Sequence, residues 1–165
     1  MQRLQKAVNY ILSEEYLLEV LETLKWCSHG SDIVEYFIDN GLEEEFAFSK
    51  ERKKIIKKYL NFRIAEVLKE LETESPEFLY RAIYCFKKPE KVGFFGCFWS
   101  SDEKTNPCVE LRREKEFLLT IKYDENLIDW KETLKSRMDF LYGSKEKEYY
   151  LIEIELELFS VKEIF

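Results

Sequence analysis

The chain has 165 residues, of which 45% are hydrophobic and 16% aromatic, enough to pack a core even though 36% are charged. A formal net charge of −7 speaks against a general nucleic-acid or anionic-membrane binder and leaves at most a local basic patch. The four cysteines (Cys27, Cys85, Cys97, Cys108) include no C-x-x-C pair, and His29 is the only histidine. A structural zinc site, which needs closely paired ligands, is therefore not expected, and reduced thiols are. The first residues lack the apolar run of a secretion signal, and no apolar stretch approaches the ~20 residues that cross a membrane. The expectation is a soluble, cytoplasmic protein, or one delivered into a host cytoplasm.

Apolar residues recur at three- and four-residue spacing over 4–26, which predicts two helices with Ser13 capping the second. A short helix is expected over 31–39, stopped at Asn40-Gly41. Ser49 then caps a long helix whose stripe is Ile55, Ile56, Tyr59, Leu60, Ile64, Val67, Leu68 and Leu71. The basic cluster at 50–58 reads as a solvated helix face. Ser75-Pro76-Glu77 marks a change of character, after which β-branched and aromatic residues dominate. Strands are predicted over 78–86 and 116–123, with a glycine-punctuated piece over 92–101. One or two helical turns fit 128–138. The alternation of Tyr150, Ile152, Ile154, Leu156 and Leu158 with Glu153, Glu155 and Glu157 predicts one long strand with a wet and a buried face. A closing hairpin or sheet edge follows from Val161. The fold class is α+β: a helical region over 1–75 packed on a mostly antiparallel sheet over 76–165, together one compact unit.

Three short islands could carry chemistry: Leu79-Tyr80-Arg81-Ala82, Phe98-Trp99-Ser100-Ser101-Asp102 and Glu146-Lys147-Glu148-Tyr149-Tyr150-Leu151. An arginine grips a polyphosphate with two donors at once. A carboxylate stabilises the oxocarbenium ion formed when a glycosidic bond breaks. A hydroxyl beside that carboxylate can hold it in one rotamer. Read singly, Arg81 is a surface or ion-pair arginine, Ser100-Ser101 a strand-end pair, and Glu146 and Glu148 parts of a charged turn.

In this order the islands resemble the arginine–serine–glutamate class of mono-ADP-ribosyltransferases, over the chain from Phe78 to the C-terminus. The resemblance implies a split antiparallel sheet core preceded by helices, with NAD as co-substrate. It implies that Arg81 binds the NAD phosphates and that backbone near Ala82 meets the nicotinamide amide. It further implies that Ser100 orients Glu148, that Ser100 and Ser101 contribute to the NAD site, and that Glu148 bonds the nicotinamide ribose and stabilises its cation. Glu146 would position the acceptor, a macromolecule and most simply a protein arginine, as ADP-ribose is transferred and nicotinamide released. The family stacks an aromatic on nicotinamide, a place Trp99 could fill, although Trp99 and Phe94-Phe95 read from the residues as core. The chain departs from the family where the serine motif ends in Asp102 and where Asn106-Pro107 breaks the next stretch. Glu153-x-Glu155 and Glu155-x-Glu157 also repeat the glutamate spacing. The competing reading is a non-catalytic protein-binding inhibitor or decoy, of the sort carried by a mobile element or virus.

Overall fold

The computed structural model describes residues 2–26, 52–104, 115–138 and 147–164. They form two compact units, one from Met1–Thr73 and Trp130–Lys145, the other from Glu74–Asp129 and Glu146–Phe165. The first division between the units falls between Thr73 and Glu74, and the chain passes between them twice more. The segment at 130–145 returns to the helical unit, whereas the sequence reading kept everything beyond 76 with the sheet.

The helical unit contains α1 (Gln2–Ile11), α2 (Glu14–Trp26), α3 (Arg52–Thr73) and α4 (Trp130–Met138). Ser13 lies between the first two, and its Oγ accepts the Tyr16 N–H, the bond expected of a helix cap. Ala7, Val8 and Ile11 are buried on α1, and Ile56, Tyr59, Leu60, Ile64 and Val67 on α3, at the spacing that puts side chains on one helix face. Lys53, Lys54, Lys57 and Lys58 lie exposed on α3, as a solvated face should. Arg63 is buried within the apolar stripe of α3 and is held in three places. Its Nη1 reaches Glu66 and Glu70, each at 3.2 Å, and its Nη2 donates to the Arg137 carbonyl at 2.9 Å. Tyr59 donates to the Met138 carbonyl at 3.1 Å. Two donors from α3 therefore satisfy carbonyls that the end of α4 leaves open. The expected helix over 31–39 and the Ser49 cap lie outside the described residues. Among those residues no helix is long and apolar enough to cross a membrane.

The second unit is a five-stranded antiparallel sheet in the order β5-β3-β1-β4-β7, with a two-stranded sheet of β2 and β6. The strands are β1 (Phe78–Cys85), β2 (Val92–Gly93), β3 (Phe98–Ser100), β4 (Lys115–Lys122), β5 (Glu148–Tyr150), β6 (Leu156–Glu157) and β7 (Ser160–Glu163). Mixed α+β architecture with helices first and an antiparallel sheet after them is as expected. β4 is buried on both faces from Phe117 to Ile121, as an inner strand flanked by β1 and β7 should be. The long strand expected over 150–158 does not form. The chain leaves β5 at Tyr150, is irregular through 152–155, pairs briefly with β2 at Leu156 and Glu157, then joins the far edge of the main sheet as β7. The expected burial holds only at its end: Leu156 and Leu158 are buried, but Tyr150 and Ile152 are half-buried and Ile154 is exposed, while Tyr149 and Leu151 are buried instead.

Candidate functional site

The three islands meet on three adjacent strands. Tyr80 is paired with Ser100, and Ser100 in turn with Glu148. Directly opposed residues project to the same side of a sheet with Cβ atoms about 4.5–5.5 Å apart. Ser100 and Glu148 are thus neighbours on one face, with Tyr80 and Ala82. Arg81 is one residue out of that register and stands on the other face, with Trp99 and Tyr149, each only 2% exposed.

On its own face Arg81 is engaged with backbone. Its Nη1 donates to the Phe98 carbonyl at 2.5 Å, and its guanidinium lies over Gly96. Gly96 has φ +80°, so this position needs glycine for its backbone conformation, and a Cβ there would also press on Nη2 at 2.9 Å. Trp99 Nε1 donates to the Gly96 carbonyl at 3.0 Å. Arginine and tryptophan together fix the backbone that leads into β3.

Ser100 is buried, and its Oγ accepts the Asp102 N–H at 2.9 Å, a local turn bond of the kind serine makes at a strand end. Ser101 donates to Glu74 Oε2 at 3.2 Å, and the buried Tyr149 hydroxyl donates to the same oxygen at 2.9 Å. The Tyr123 ring meets the Tyr149 ring edge-on at 5.9 Å. Burial raises the Tyr123 phenol above its ordinary value, with Glu125, Asp124 and Glu74 adding to the shift. Glu74, where three elements converge, was invisible in the sequence, because nothing in Thr73-Glu74-Ser75 separates it from the surrounding glutamates. Glu146 lies outside the described residues. Lys147 has φ +50°, and its carbonyl accepts the Ser101 N–H, joining the second and third islands.

The structure therefore brings Ala82, Ser100 and Glu148 to one face, and Arg81, Trp99 and Ser101 to the opposite one. Cys85 and Cys97 are free thiols, both half-buried. Comparison of the chain with protein-family models, curated proteins and solved structures gives no match.

Proposed function

We propose that this chain acts by binding another protein, in the manner of an inhibitor or decoy, with the connection at 86–98 as its contact element. The observation that carries this reading is a run of large apolar side chains left in solvent on a braced backbone. Phe86 is 74% exposed, Val92 50%, Phe94 71% and Phe98 44%. Phe86 follows β1, Val92 lies on β2 and Phe98 opens β3, so all four residues belong to the connection from β1 to β3. Clustered exposed aromatics at a polar surface are the signature of a contact site, since rigid rings bury much area at little entropic cost. Arg81 and Trp99 hold the base of this connection through Phe98 and Gly96, which lowers the ordering cost of binding.

A second reading is mono-ADP-ribosyl transfer from NAD, and one observation favours it: Ser100 lies directly across from Glu148, the neighbour relation that such a serine and glutamate require. In that reading Arg81 must leave the Phe98 carbonyl to reach the phosphates from the opposite face.

One experiment separates the two. Phe94 is replaced by a photo-crosslinking amino acid in cells that make the protein, and the purified chain is incubated with labelled NAD beside Glu148→Gln. The binding reading expects one discrete, stoichiometric protein adduct that disappears with Phe86→Ser, and no Glu148-dependent use of NAD. Nicotinamide release that is lost in Glu148→Gln would replace it with the transferase reading.

A further inference from the structure

A cleft of about 630 Å³ opens in the sheet unit between the end of β4 and the segment entering β6, lined by 121–125, Leu127 and 154–157. It is distinct from the 86–98 connection, and its origin is topological. β7 pairs with β4 only as far as Thr120 and Ser160, and Phe159 N–H donates to the Thr120 carbonyl. Preceding residues turn away to pair with β2, so two strands that run together at one end are parted at the other. β4 continues through Ile121 and Lys122 with β1 on one side and the cleft on the other.

The far wall also presents open backbone. Leu158 N–H donates to the Lys91 carbonyl, which makes Val92 and Glu157 a pair that exchanges no hydrogen bonds of its own. The N–H and C=O of Glu157 point away from β2. Among the described residues, none of the backbone hydrogen bonds outside the regular elements involves Glu153, Ile154 or Glu155. The cleft therefore has the end of β4 on one side and the segment leading into β6 on the other, with apolar lining from Ile121, Leu127, Ile154 and Leu156, and the carboxylates Asp124, Glu125, Glu155 and Glu157 against a single Lys122.

We propose that this cleft receives an extended, lysine- or arginine-bearing segment of a protein partner, added as a strand to the end of β4 that β7 leaves uncovered, with 154–157 as the facing wall. Strand addition gives such a segment main-chain bonds on an open edge, and alternate side chains meet the cleft walls. The acidic lining selects positive side chains at those positions, and the chain's overall charge of −7 steers a cationic segment toward it. The same charge opposes nucleic acid at this site. This inference stands apart from the contact role given to 86–98, since the two sites share no residue.

The test is fluorescence anisotropy with a labelled synthetic peptide of about nine alternating lysine and valine residues, a typical strand length. Partners in the test are the same peptide with glutamate for lysine and a version N-methylated at alternate amides. Amide resonances of the full-length protein report where the peptide sits. The lysine peptide is expected to bind with shifts confined to 121–127 and 154–157. Glu155→Lys with Glu157→Lys is expected to weaken it by about tenfold or more, since like charges then face each other. N-methylation should weaken it comparably on the unaltered protein, a comparison that needs no variant to fold. Absence of binding, equal binding of the glutamate peptide, indifference to N-methylation, or unchanged affinity in the folded double variant would each overturn the proposal.

Discussion

At the scale of single residues, glycine and arginine at 96 and 81 form one device. Gly96→Ala forces a Cβ to within 2.9 Å of Arg81 Nη2 at a φ that side chains avoid. The expected cost is about 1–3 kcal/mol in chemical denaturation, larger than an exposed glycine would suggest. A neutral Gly96→Ala would show that the chain does not hold the left-handed conformation at this position. Glu74 gives a second case. Tyr149→Phe removes a buried donor to its carboxylate and is expected to cost about 1 kcal/mol, with near-ultraviolet dichroism reporting the loosened ring packing against Tyr123. Arginine in an apolar-aromatic context is equally compatible with a phosphate grip and a backbone brace, and only the hydrogen bond to Phe98 reveals the second role. Ser100 shows the same ambiguity: its hydroxyl is where the motif suggests, but its resolved acceptor role is to Asp102.

At the scale of elements, the helical unit carries its own pH sensitivity. Tyr16 on α2 is buried, and burial first, then the neighbouring Glu19 charge, pushes its phenol well above the ordinary range. The folded state thus favours the neutral ring. Stability from this group is complete below the unfolded value of about 10 and falls as pH rises beyond it. Thermal unfolding followed by helical dichroism should lose midpoint above that pH, and Tyr16→Phe should flatten the loss. Glu19 works in the other direction. The Lys135 ammonium, bonded to it at 2.7 Å, and then the Tyr10 hydroxyl hold its carboxyl below the usual range. Its contribution is present above about pH 4.3 and declines as pH falls through the lowered folded value. Because the Glu19 side chain is about half exposed to solvent, Glu19→Gln is expected to remove no more than about 1 kcal/mol at neutral pH. Among the strands, β4 carries the packing. Leu119→Ala, at a fully buried position, should cost about 2–5 kcal/mol, whereas Phe86→Ser should leave the folded state almost untouched.

For the molecule as a whole, local patterns were good guides to elements and poor guides to their partners. The helical stripes of α1 and α3, the Ser13 cap and strands β1 and β4 were legible because each is set by the periodicity of neighbouring residues. The breakage of the 150–158 segment was not, since the choice of β2 over continued pairing depends on residues sixty positions away. Nor was the membership of α4 in the helical unit, which rests on Arg63 and Tyr59 reaching its last carbonyls. Of the candidate site, the sequence placed Arg81, Ser100 and Glu148 on strands or strand ends but not which strands would be neighbours. Registry, fixed by pairing across the sheet, decided which of them share a face.

Composition and short-range spacing by themselves determined an acidic α+β chain with enough apolar residues for its cores and a divide near residue 75. Tertiary structure alone decided that Arg81 turns from Glu148, that four apolar side chains of the β1–β3 connection stand exposed, and that β4 and β7 part to leave an acidic cleft. The reason is that periodicity is a property of neighbours along the chain. Facing, exposure and strand separation are instead set by hydrogen bonds and packing between segments that meet only on folding.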